Sequence, residues 1–309
     1  MTSTSCIFSR LDSDIINRHI LPRLDGADLT ALSSVSSYLR YLICNNNNNQ
    51  DLWRNICTSK WPSLMDPGFK QVISAFPGGY HSFFSDAFPS LHHRTNSHCS
   101  YPPSPDLIHA VDMYIDGEPV FSRIGVESFD TEEYKHWCIY FISDVTCYGW
   151  KRMPMGHIRI PVNASWIEYL QENLKLSWIV IHPTRKRAAS LFRYTCKLIS
   201  VTRRRKYKDV THEVVYGTVI AGECQVRSEM VNCHVKVMCC KNGGDGLDVM
   251  RVVIEMEDMN RDLVTVKQGV SILHNAIQNG QRKKFDLPKQ EFDKFQISDL
   301  QRKKNRKRK

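Results

Sequence analysis

Apolar positions along this chain change their spacing once, from steps of three and four in the N-terminal part to alternation beyond residue 106. Ile15, Ile16, Ile20 and Leu24 recur at helical intervals behind Asp12, Ser13 and Asp14, whose side chains suit the orphan N–H groups of a helix start. Pro22 removes a backbone donor and disfavours helical geometry at Leu21, so this first helix is expected to kink or end there. Asp25-Gly26 predicts a turn. With Asp28 as N-cap, Leu29, Leu32, Val35, Leu39 and Leu42 form one stripe of a second helix, and Ser33, Ser34, Ser36, Ser37 and Arg40 lie off it. The asparagine run 45–49 predicts a solvated loop, after which Asp51 opens a third helix carrying Leu52, Trp53 and Ile56. Three helices in about 50 residues bury too little apolar surface to be comfortable alone, which points to a partner.

Past Trp61 an aromatic segment runs to Phe88, followed by polar sequence ending in Tyr101-Pro-Pro-Ser-Pro105, which reads as a linker. The alternating half predicts strands at Ile108–Ile115, Trp137–Ile142, Gly156–Val162, Leu176–His182, Ser190–Val201, His212–Ile220, Val231–Cys239 and Leu247–Glu257. Asp116-Gly117 and Asn242–Gly246 supply turn residues that tolerate positive φ. In the last strand Met250, Val252, Ile254 and Met256 are expected on one apolar face. Helices are expected at Ser165–Leu174 and Val270–Ile277. The fold class is therefore α+β: a small three-helix module over 8–62, a connector over 63–105, a predominantly antiparallel β-rich domain over 106–280, sandwich or barrel, and a basic tail over 281–309. No internal repeat is visible, which disfavours propellers and leucine-rich horseshoes.

The order Leu11, Asp14, Ile15, Ile16, Ile20, Leu21, Leu24, then Asp28-Leu29, Leu32, Val35, Ser36, Leu39 and Leu52-Trp53-Arg54, resembles an F-box, in particular that of a family of plant F-box proteins. Trp61-Pro62-Ser63, Phe76-Pro77-Gly78-Gly79-Tyr80 and Ser82-Phe83-Phe84 are similar to the same family. The chain departs from the usual pattern at Leu11-Asp12 in place of Leu-Pro, at Asp25 in place of proline and at Tyr38 in place of tryptophan. The resemblance implies a non-catalytic subunit of a ubiquitin ligase that binds a Skp-family adaptor and, through it, a cullin, while the β-rich half holds an unidentified protein target. It also implies that Leu11, Ile15, Ile16, Ile20, Leu21, Pro22, Leu24, Leu29, Leu32, Val35, Leu39, Leu42 and Trp53 are divided between adaptor contact and the F-box core.

Composition narrows the alternatives. With 42% apolar and 24% charged residues in 309, the chain is an ordinary globular protein, and no apolar run approaches the about 20 residues of a membrane helix. Eleven cysteines, mostly inside apolar runs, read as reduced core thiols of an intracellular protein. Of the net charge of +10, seven units sit on Arg302, Lys303, Lys304, Arg306, Lys307, Arg308 and Lys309, a block expected to stay solvated and to serve as a nuclear import address, giving a nuclear or cytoplasmic location. Arg185 to Lys208 forms a second basic cluster, expected on one wet face of a strand pair. A nucleic-acid-binding module built on these clusters is one alternative, though the interleaved apolar residues disfavour it. The other is a sugar-binding module, because Leu176–Ile181 with Pro183–Ala189 resembles the lectin-like sandwich of some plant F-box proteins. His92, His93, His98 and Cys99 match no tetrahedral zinc spacing, and the Gly243–Gly246 stretch lacks the helix of a phosphate loop. No metal, cofactor or catalytic residue is expected.

Overall fold

Helices fill the first part of the chain and antiparallel sheets the rest in the computed structural model, which describes residues 11–45, 49–95, 107–126, 136–142, 155–161, 165–193, 198–206, 209–222, 230–241 and 246–282. The chain divides into two compact units, Met1–Asp86 and Ala87–Lys309.

In the first unit, α1 (Ser13–Ile15) begins where Asp12 accepts the Asp14 N–H at 2.9 Å, widens into a π turn at Ile16–Ile20 and tightens into a 3-10 turn at Leu21–Arg23. Pro22 sits at the start of that tight turn, where its missing donor is harmless. The next helix, α2 (Gly26–Val35), is capped by Asp25 and not by Asp28: the Asp25 carboxylate accepts the Asp28 N–H at 2.7 Å. Gly26 is thus a helical residue, and a Cβ there would run into the buried ring of Phe84. The expected single stripe from Leu29 to Leu42 is broken. Ser36 adopts an extended backbone and its Oγ accepts the Leu39 N–H at 3.1 Å, capping a new short helix α3 (Ser37–Arg40) that leads into a π turn at Tyr41–Asn45. A serine offers the backbone this alternative partner, which periodicity does not register. The third expected helix is α4 (Asn49–Lys60), and two more follow, α5 (Pro67–Ser74) and α6 (Gly79–Ala87), so part of the expected connector packs within the helical unit.

The second unit has β1 (Leu91–Thr95), β2 (Ile108–Ile115), β3 (Glu118–Val126), β4 (Cys138–Ile142), β5 (Gly156–Arg159), α7 (Trp166–Asn173), β6 (Leu174–His182), β7 (Arg187–Phe192), β8 (Leu198–Lys206), β9 (Asp209–Ala221), β10 (Met230–Lys241), β11 (Gly246–Glu257), α8 (Val266–Asn279) and β12 (Gly280–Arg282). Among the described residues every pair of strands is antiparallel, with one isolated parallel bridge between Ser90 and Ser190. A large sheet runs β4-β11-β10-β9-β8, with β5 beside β4 on the same edge of β11; a smaller one runs β3-β2-β6-β7; β1 pairs with β12. The two larger sheets share one apolar core. Phe141 of the large sheet meets Trp178 of the small one at 5.9 Å, and the buried Tyr216 hydroxyl donates to the Leu174 carbonyl at 3.0 Å, tying β9 to β6. The β2–β3 turn is Asp116-Gly117, both with positive φ, as the hairpin chemistry expects.

Several expectations change. The strand expected at Ser190–Val201 is two strands, β7 and β8, which belong to different sheets, so the second basic cluster does not lie on a single strand pair. Strands β1, β3 and β12 lie outside the expected set: β1 and β12 are short and polar, and β3 is mostly exposed or half-buried. Helix α8 is longer than expected, held at its start by a capping box in which Thr265 and Gln268 bond each other's backbone. On β11, Met250 is not in phase with Val252, Ile254 and Met256, because the register shifts at that point. Ser165 stands at the N-cap of α7 without a side-chain capping bond, and the proline linker 101–105, His98, Cys99 and the turn residues 242–245 lie outside the described residues.

Candidate docking surface of the helical unit

The interior of the helical unit is filled by rings. Trp53 on α4 is 1% exposed; its indole N–H donates to the Ile43 carbonyl at 3.0 Å, and its ring lies 4.7 Å from His81 and 5.2 Å from Phe84. Trp61 meets Phe83 edge-on at 5.8 Å, and Phe83 meets Phe76 the same way at 5.5 Å. Such tilted and edge contacts add to the burial itself. Desolvation pushes the Cys57 thiol up, and the same cause holds the His81 imidazole below its ordinary range.

The residues expected to serve an F-box separate into two sets around this interior. Ile16, Leu21, Leu29, Leu39, Leu42 and Trp53 are buried within the chain. Ile20, Leu24 and Leu32 are half-buried, and Pro22 is exposed. Leu11, Ile15 and Val35 face solvent, at 37%, 46% and 67% exposure. Three further large apolar side chains outside the expected set are also exposed in this unit, Tyr38 at 37%, Tyr41 at 58% and Met65 at 64%. Tyr38 and Tyr41 follow the break at Ser36, on a short helix and turn whose Leu39, Leu42 and Ile43 are buried. Arg302 to Lys309 lie outside the described residues.

Comparison with known proteins decides the family. The chain is 34% identical over 275 residues to the F-box protein At2g27310 of Arabidopsis thaliana, covering 85% of this chain and 78% of that protein. The chain belongs to the plant F-box proteins. It is also 35% identical to the Arabidopsis thaliana F-box protein At3g44326 over 74% of this chain and 61% of that one, and 30% identical to the probable F-box protein At2g36090 of the same plant over 93% and 82%. No protein-family model matches the chain, and no solved structure matches it. The similarity to At2g36090 spans nearly the whole chain, so the β-rich unit is part of what this F-box protein shares with its relatives.

Proposed function

We propose that this F-box protein is the substrate receptor of a Skp–cullin–F-box ubiquitin ligase: the helical unit docks on a Skp-family adaptor and the β-rich unit holds the target. One observation carries the reading. Leu11, Ile15, Val35, Tyr38 and Tyr41 stand exposed on a helical unit whose interior is already closed by Trp53, Trp61, Phe83 and Phe84. An apolar set of that kind is what an adaptor groove buries, and aromatic residues in it are favoured as anchors. The protein then acts by proximity, holding a lysine-bearing target near a ubiquitin thioester supplied by its partners. Reconstitution tests it: the purified chain mixed with a plant Skp adaptor should co-elute with it and bridge it to a cullin. Separate elution of the two at micromolar concentration would remove the reading.

The basic tail has its own role in this proposal, as an address for nuclear import, because seven cations without one anion in residues 301–309 suit an acidic import groove. Deleting those nine residues should shift a fluorescent fusion toward the cytoplasm while adaptor binding stays unchanged. A truncated fusion as nuclear as the full chain would contradict it.

A further inference from the structure

Arg251 of the β-rich unit is set apart by a bulge. On β11, Leu247 and Val249 face the core, with Val249 opposite Cys239; the next pair is Arg251 opposite Met238, which leaves Met250 as the extra residue. Alternation then restarts, with Val252, Ile254 and Met256 inward. Without the bulge Arg251 would be in phase with Leu247 and Val249 and would enter the core. With it, Arg251, Val253 and Glu255 join Met238 and Lys236 on the outer face of the large sheet.

On that face the charges are unequally satisfied. Lys236 pairs with Glu255 across the strands. The Arg251 guanidinium lies over the ring of Tyr140 on β4 at 4.9 Å, and its Nε is shut off from solvent with no hydrogen-bond partner among the described residues. Arg251 also lines a surface depression of about 370 Å³, together with Glu213, Lys236, Met238, Val253 and Glu255. Arginine over an aromatic ring is a fork for a carboxylate, and the apolar atoms of Met238 and Val253 supply a floor beside it.

We propose that this depression receives one acidic side chain, aspartate or glutamate, of an extended target peptide, with Arg251 binding its carboxylate and Met238 and Val253 taking an apolar neighbour. The inference deepens the receptor reading and rests on it. A carboxylate is selected over a phosphate because Lys236 is already paired with Glu255 and Glu213 adds a negative charge to the lining, so a dianion meets more repulsion there than a monoanion does. A peptide is favoured over a small metabolite because the depression is only partly enclosed, whereas a small-molecule cleft buries most of its ligand.

The test uses the full chain in complex with its Skp adaptor and fluorescent, C-terminally amidated nonapeptide pools with glutamate, glutamine or phosphoserine fixed at the centre. The glutamate pool should bind about tenfold more tightly than either other pool, the worth of one hydrogen bond to a charge. Arg251→Gln should erase that preference, and Arg251→Lys should keep part of it, with adaptor binding and melting temperature unchanged. Met238→Glu, which leaves Arg251 in place but adds a like charge to the depression, should erase the preference as well, and so serves if Arg251→Gln does not fold. Equal binding of glutamate and glutamine pools, preference for phosphoserine, or binding of no pool at millimolar peptide would each overturn the proposal. Those outcomes leave adaptor binding intact, whereas failure of the receptor reading appears as loss of the adaptor complex itself.

Discussion

Ile15→Lys combined with Val35→Lys is expected to weaken association with a Skp adaptor by about a thousandfold, each buried charge replacing an apolar contact worth about 2 kcal/mol. Both side chains are exposed in the free chain, at 46% and 67%, so neither substitution disturbs the core. The choice of positions matters. Leu21 belongs to the same resemblance but is 1% exposed, and a lysine there would unfold the unit and mimic a binding defect. Isothermal titration with the purified adaptor measures the loss, and circular dichroism checks that helix content is kept. Wild-type affinity in a folded double variant would show that the adaptor uses another surface.

Trp53→Ala should cost about 3–5 kcal/mol, the range for removing a large buried aromatic, which a small helical unit cannot spare. The substitution removes the ring contacts to His81 and Phe84 and strands the Ile43 carbonyl that the indole N–H satisfies. Hydrogen exchange should become fast across 11–86 while β9, β10 and β11 stay protected. Acid should act in the same direction. Burial lowers the His81 imidazole below its ordinary range, so the contribution of the neutral ring is complete above that range and is lost as pH falls below it. Unchanged protection of α4 in Trp53→Ala would refute the central role of this ring.

The sequence was most legible where one mechanism decided the local structure. The Asp116-Gly117 hairpin and the strands β2, β9, β10 and β11 follow from turn chemistry and alternation, and little competes with them. It misled where a side chain offered a second partner to the backbone. Asp25 displaced Asp28 as a cap, and Ser36 cut a helix that its apolar stripe would have continued. Candidate site residues could be named from their order but not sorted. Whether Ile16 or Ile15 faces inward depends on the π turn that follows, and Met250 against Arg251 depends on a bulge, neither of which has a sequence period of its own.

The pairing of β1 with β12 joins the two ends of the described β-rich unit, and Arg282 on β12 locks the join by donating to the carbonyls of Ala188 at 2.9 Å and Ile277 at 3.0 Å. During synthesis this clasp cannot form until the chain has emerged past residue 282, because it pairs Leu91 with Arg282. The helical unit, made first and held by local contacts, is complete long before. A chain still on the ribosome therefore carries a finished helical unit ahead of a closed β-rich unit, and the edge of β1 waits for β12 to arrive.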